Sequence, residues 1–442
     1  MTVVNRGLGA VRPVGARSLA QRAEAALAIL PAFRSAADSG RVDRVLLLLP
    51  DPHARFVAVE LAADFVRDVV LERGYGACTY VLAWDVRREA IDAPALRDYL
   101  GGYGDFLLIP DLATLQPVAG RPATVAVVCD AAWPDGSPVE LAARQVLRAR
   151  LADAEARGLV PSVGIEHEVT FYDSAGAPLT GHGIDYALHT NPALDSVLAG
   201  IRRAIADSPL GVESARAECH PGQYEIVLAH RDALAACDDA MLLQHLVRTA
   251  AAEQGARASY LAAEGVGRGS SCHVHLSLSG VDIRQGFLAG VLRAARELSA
   301  VWAPTVNSYV RLRTAPFSPR VLRWGPDDRT AAVRVAGRGD SLRLEFRFAG
   351  ADAQTHLVVA ALLAAGLSGI EDELTPPEAG VAVGELAATP WEALRLLESS
   401  TLAERLLGRA VVGQQVALLE SELAAACETV SDVQRVRGAL RA

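Results

Sequence analysis

The chain has 442 residues, is 51% hydrophobic with mean hydropathy +0.21, and carries a formal net charge of −9. That length suffices for two or three ordinary domains or one large one, and the acidic balance argues against a nucleic-acid partner. All 43 basic residues are arginine, which excludes any step that needs a catalytic lysine.

Residues 1–40 are rich in Ala and Arg and read as an N-terminal helical extension. They hold no apolar stretch of the signal-peptide kind. "RVLLLL" (44–49) is far shorter than the roughly 20 apolar residues of a membrane span. Six cysteines lie scattered without a C-x-x-C pair, as suits a reducing compartment. The expectation is a cytoplasmic protein with no membrane partner. Residues 41–135 alternate apolar runs with turn signals: "RVLLLLP", "ACTYVLAWD", "DFLLIPD", "ATVAVVCD". That pattern predicts a small domain with a mixed or antiparallel sheet and a helix around 56–72. "WPDGSP" (133–138) marks a boundary, so a larger domain is expected over 136–442. It opens with a predicted helix at about 139–157. Strands and helices then interleave to about 372, "EDELTPPEAG" breaks the chain, and 390–442 has helical spacing.

Four predicted strands in this larger part share one unusual feature. In "VGIEHEVTFYD" (163–173), Glu166 and Glu168 fall on one face, opposite Val163, Ile165, Val169 and Phe171. In "GQYEIVL" (222–228), Gln223 and Glu225 share a face, and Glu218 precedes them across an "HPG" turn. "SSCHVHLSL" (270–278) aligns Ser271, His273, His275 and Ser277. "LRLEFRF" (342–348) aligns Arg343, Glu345 and Arg347. Any one of these could be a solvated sheet face. If they converge, five carboxylates crowd together with at least one imidazole, and the like charges repel. Divalent cations would remove that conflict, and the donor set suits Mg²⁺ or Mn²⁺ better than zinc. Such ions commonly clamp nucleotide phosphates. Between the third and fourth strands, residues 311–335 supply Arg311, Arg313, Arg320, Arg323, Arg329 and Arg334. Guanidinium forks suit phosphate and carboxylate recognition. No P-loop or dinucleotide fingerprint is present, and "GVGRGS" (265–270) fits neither pattern.

In their order, these blocks resemble glutamine synthetase. "GIEHEVTF", "ECHPGQYEI", "GSSCHVHLSL", "APTVNSYVRL", "WGPDDRTAAVRV" and "LRLEFRFAGADA" carry the resemblance, which runs from about residue 40 to 440. It implies an α+β fold: an N-terminal β-grasp domain on a catalytic domain built as an antiparallel sheet half-barrel with flanking helices. It implies ATP and two to three Mg²⁺ (or Mn²⁺) as cofactors. Glu168, Glu218 and Glu225 would hold one ion, and Glu166, His273 and Glu345 another. Arg311 and Arg347, with Gly269 nearby, would bind the carboxylate of a glutamate-like acid. Arg329 and Arg334 would hold the transferring phosphate, joined by Arg347 in catalysis, while His275 and Ser277, with Arg334, would face the nucleotide. The family's usual assembly is a homo-oligomer, a dodecamer of two hexameric rings.

The chain also departs from the ammonia-using pattern. Where those members carry a flap glutamate, six residues after the arginine at 311, this chain has Phe317. "FSP", "SSCH" and "WGPDDRT" look like the γ-glutamyl-polyamine and γ-glutamyl-ethanolamine synthetase branch. The implied function is an ATP-dependent ligase joining glutamate, or a close analogue, to a primary amine other than ammonia through a γ-glutamyl phosphate. The alternatives are an acyl-phosphate ligase on another acid or nucleophile, and a non-catalytic relative that binds nucleotide or metabolite. "YLAAEG" (260–265) and Gln354-Thr355-His356 stand where the family has other residues.

Overall fold

The structure is a computed structural model that describes residues 17–91, 96, 101–188, 191–208 and 210–441. Of the expected N-terminal extension, residues 1–16 lie outside the described residues, and the helix Leu19–Asp38 follows.

The first sheet is built from β1 (Arg44–Pro50), β2 (Phe56–Ala62), β3 (Tyr75–Cys78), β4 (Asp105–Pro110), β5 (Gln116–Pro117) and β6 (Thr124–Ala132). Its order is β2-β1-β6-β4-β3, with β5 on β6. β1 runs parallel to β6, and the other pairs are antiparallel, so the sheet is mixed. The unbroken apolar run of β1 fits its central place between two neighbours. The helix expected over 56–72 is corrected. Residues 56–62 pair antiparallel with β1, and helical structure begins only at Ala63. Alternating burial along "FVAVELA" and the exposed edge of β1 outweigh its helix-tolerant composition. Val45, Leu47, Phe106 and Val127 form this sheet's core with Phe33 of the first helix.

The second sheet comprises β7 (Pro161–Tyr172), β8 (Val212–Ala217), β9 (Gln223–Leu228), β10 (Arg231–Asp232), β11 (Arg257–Ser259), β14 (Cys272–Leu278), β15 (Trp324–Pro326), β16 (Val333–Ala336) and β17 (Arg343–Phe346); β12 (Ala263–Gly265) and β13 (Arg268–Gly269) form a separate hairpin. Its main path is β15-β16-β17-β14-β7-β9-β8, with β10 and β11 also on β7. The sheet is not wholly antiparallel as expected, because β15 and β16 pair in parallel. One face buries Val163, Ile165, Val169, Phe171, Val274 and Phe346 in a core shared with flanking helices. The helix Thr355–Glu371 is apolar on nearly every side and is buried accordingly.

A buried ionic cluster joins the two sheets. Arg22, from the first helix, pairs with Asp111, Asp232 and Asp238 at 2.8, 3.1 and 3.3 Å. Arg144, from the helix Ala143–Ala156, reaches Asp111 and Asp238 at 2.8 and 2.9 Å and also pairs with Asp130. His356 completes the cluster, its Nε2 2.9 Å from Asp238 Oδ1. The departure at Gln354–His356 therefore has a structural use here: Gln354 caps the following helix, and His356 is locked in the ionic core. No helix among the described residues is long and apolar enough to cross a membrane.

Candidate active site

Strand alternation and register together build the site. On β7, Glu166 and Glu168 point away from the apolar core. His167, between them, is buried on the core side, its Nε2 3.1 Å from Gln244 Nε2. Burial, with the Arg248 charge second, pushes its pKa down to about 3, so it stays neutral and apart from the polar face. Glu166 lies opposite His273 on β14, and Glu168 opposite Glu225 on β9. Glu345 on β17 lies opposite His275 on one side and Arg334 on the other. Direct cross-strand partners have Cβ atoms about 5 Å apart, so register alone brings these groups into contact.

The contacts are short. His273 Nδ1 is 2.8 Å from Glu166 Oε1, and His275 Nε2 is 3.2 Å from Glu166 Oε2. Arg334 Nη1 donates to Glu345 Oε2 at 2.8 Å, and Arg347 pairs with Glu345 Oε1. Two sets of three donor atoms lie within 4.8 Å of one another: Glu166, Glu225 and His273, and Glu166, His275 and Glu345. Glu166 belongs to both. Burial, and next the adjoining Glu166, push Glu225 far above the ordinary carboxylate range. Glu166 is driven the other way, because hydrogen bonds from His273 and His275 outweigh its own burial. Burial would raise Glu345, but the charges of His273 and Arg347 hold it down to about 2. His273 Nε2 is buried without a hydrogen-bond partner. An unpartnered imidazole nitrogen beside crowded carboxylates fits a hard divalent cation.

The remaining predicted residues fall around this cluster. Glu168 Oε2 accepts from Gln223 Nε2 at 3.0 Å and from the Ser271 N–H at 2.8 Å, and Glu168 belongs to neither set. Glu218 accepts from Arg216 Nε at 3.0 Å, and burial, with Glu168 second, raises its pKa. Arg311 is fully buried in the helix Val306–Thr314. It donates to the Phe348 and Arg347 carbonyls and to Ser271 Oγ. Burial lowers its pKa to about 10. The Nε atoms of Arg311 and Arg347 are buried without partners. Arg329 is exposed in the turn before β16, beside Asp327. Ser277 lies opposite Ser162, two residues beyond His275 on the same face. Gly269 is required by close packing: a Cβ there would lie 2.7 Å from Ala315 Cβ and 3.3 Å from Ser318 Oγ. The turn carrying Phe317 thus rests on Gly269, whose carbonyl accepts from Gln223 Nε2 at 2.8 Å. Phe317 itself is 61% exposed at φ +64°, a rare conformation for a bulky residue.

Arg216 was not among the predicted site residues. It sits on β8 opposite Glu225, two residues before Glu218. That period-2 spacing is the signal that would have placed it on the same face.

The comparisons bear on this geometry. The family described as "Glutamine synthetase, catalytic domain" matches residues 140–437. The chain belongs to the glutamine synthetase family. It is 37% identical to the gamma-glutamylethanolamide synthetase GlnA4 of Streptomyces coelicolor, over 89% of this chain and 92% of that protein. It is 30% identical to a glutamate–isopropylamine ligase of a Pseudomonas species, over 76% and 80% of the two chains. Among solved structures, a "GmaS/ADP complex" superposes with a TM-score of 0.80 at 26% identity, covering 93% of this chain and 99% of that one. The second sheet and its helices are accordingly a glutamine-synthetase-type catalytic fold, and the amine-ligase branch read from "FSP", "SSCH" and "WGPDDRT" is the one these relatives occupy.

Proposed function

We propose that this protein is an ATP-dependent ligase that joins glutamate, or a close analogue, to a primary amine other than ammonia. The γ-carboxylate attacks the γ-phosphorus of ATP, the bond to ADP breaks, and a γ-glutamyl phosphate forms. The amine nitrogen then bonds to the acyl carbon as phosphate leaves and the amine loses a proton. Phe317 is the observation that carries the amine reading. The turn that packs on Gly269 presents an exposed aromatic ring where the resemblance implies a carboxylate in ammonia-using members. A benzyl side chain offers ammonium neither a counter-charge nor a proton acceptor, but it can pack on alkyl carbons.

In this reading Glu166, Glu225, His273, His275 and Glu345 hold Mg²⁺ or Mn²⁺, with Glu168 and Glu218 at the margin. Bound there, the metal would neutralise charge developing on the transferred phosphate. The protein's own part is positioning and charge. Arg334 and Arg347, held by Glu345, and the exposed Arg329 oppose phosphate charge, and Arg334 also serves the nucleotide with His275 and Ser277. Arg311 and Arg347, each with a spare buried Nε, receive the acid's carboxylate beside Gly269. The first sheet, with its parallel β1–β6 pair beside the β1–β2 hairpin, is the β-grasp unit of residues 41–135, and the catalytic unit takes the rest as a half-barrel. The working assembly is a cytoplasmic dodecamer of two rings.

Trapping tests the acyl phosphate. With ATP and glutamate, hydroxylamine should yield the γ-glutamyl hydroxamate; ADP formed without hydroxamate would refute the intermediate. Phe317→Glu tests the flap. It should raise the ammonia-dependent rate relative to an alkylamine by about tenfold or more, since one introduced charge commonly moves binding by this much. An unchanged ratio would remove Phe317 from amine selection.

A further inference from the structure

Arg216 projects from β8 onto the same face as the candidate metal ligands. Its Nε donates to Glu218 Oε1 at 3.0 Å, and its Nη2 lies 2.8 Å from Glu225 Oε1, an ion pair without hydrogen-bond alignment. Its guanidinium carbon stands 5.2 Å from the centroid of the Tyr186 ring. A carboxylate on either hand and an aromatic face hold the cation in place. The family resemblance implies an ion held by Glu168, Glu218 and Glu225. Here those three do not assemble: Glu168 is turned to Gln223 and Ser271, while the other two share Arg216. Arginine stays charged at every working pH, so this edge already has its positive charge.

We infer that Arg216 replaces one divalent cation, so that the protein itself holds a single ion, on the donors grouped about Glu166, where the family's arrangement holds two. Any further ion arrives with the nucleotide. The inference rests on the ligase reading for the nature of the site, though not for the count. The fixed guanidinium lowers the affinity of the Glu218–Glu225 edge for a second ion by direct repulsion.

Metal counting on the nucleotide-free protein tests this without reading activity. Titrated with Mn²⁺ and followed by electron paramagnetic resonance, the wild type should take up one tight ion per chain with no Mn–Mn coupling. Arg216→Ala should take up two, with coupling. Arg216→Lys, which keeps a cation, should stay at one. Arg216→Gln supplies the neutral variant if the alanine variant does not fold. Two coupled ions in the wild type would overturn the inference. So would an unchanged count in the folded neutral variant, or a second ion in the lysine variant. A protein that fails as an amine ligase can still give the expected counts, so the two failures are distinguishable.

Discussion

Glu166→Ala should reduce glutamate-dependent ADP release by on the order of 10³ or more, a loss typical of removing charge stabilisation at phosphoryl transfer. Glu166 is the residue common to both candidate ligand sets, and it is the partner of both His273 and His275. Its removal leaves neither set with three donors. The same change takes one charge out of a crowd of carboxylates, so the metal-free fold should survive it. The check is a pair of measurements: steady-state ADP release in saturating Mg²⁺, and the thermal midpoint of the metal-free protein. Loss of turnover with a midpoint within a few degrees of wild type is the expected outcome. Wild-type turnover in the variant would break the metal assignment.

Arg144→Ala should cost about 3–5 kcal/mol of stability, the usual penalty for removing one partner from a buried ionic cluster. Arg144 is 1% exposed and pairs with Asp111, Asp130 and Asp238 across the junction of the two sheets. Removing it takes one guanidinium from each of three carboxylates, leaving Asp111 and Asp238 to Arg22 and Asp130 to Arg148. The pH dependence has a definite sign. Burial would raise Asp111, but the charges of Arg22 and Arg144 hold it down to about 2, below its ordinary 3.8. A carboxylate with a depressed folded pKa contributes stability that is present above its unfolded pKa and is lost as pH falls through the folded one. Wild-type stability should therefore fall between about pH 4 and pH 2, and the variant should be flatter over that window. Urea midpoints at pH 7 and across the acid range read both effects. A variant within 1 kcal/mol of wild type at pH 7 would show that the cluster is not what joins the sheets.

Much of the candidate site could be read from alternation alone. The period-2 spacing of "GIEHEV", "CHVHLS" and "RLEFR" places Glu166, His273, His275 and Glu345 on one face whatever the partner strands are. Which residue meets which depends on register between strands more than 50 residues apart, and nothing local encodes that. The expected division of Glu166 and Glu168 between two ions differs from the observed groupings: register brings Glu166 to both sets, while Glu168, opposite Glu225, accepts from Gln223 and Ser271 instead. Arg216 was passed over because one arginine in "SARAE" looks like any solvated strand residue until Glu225 is known to lie across from it. The ionic cluster of Arg22, Arg144 and Asp238 draws on distant parts of the chain, and no motif announces it. At 56–62 the sequence points to helix because Ala, Glu and Leu tolerate both states, and pairing with β1 decides between them.

An amine larger than ammonia as second substrate is what the Phe317 flap requires. Phosphate release should be measured with ATP, Mg²⁺ and glutamate across ammonia, ethanolamine, isopropylamine, putrescine and longer amines at equal free-base concentration. At least one primary alkylamine should exceed ammonia by tenfold or more in kcat/KM, a difference of about 1.4 kcal/mol in transition-state binding. Ammonia as the best substrate would contradict it.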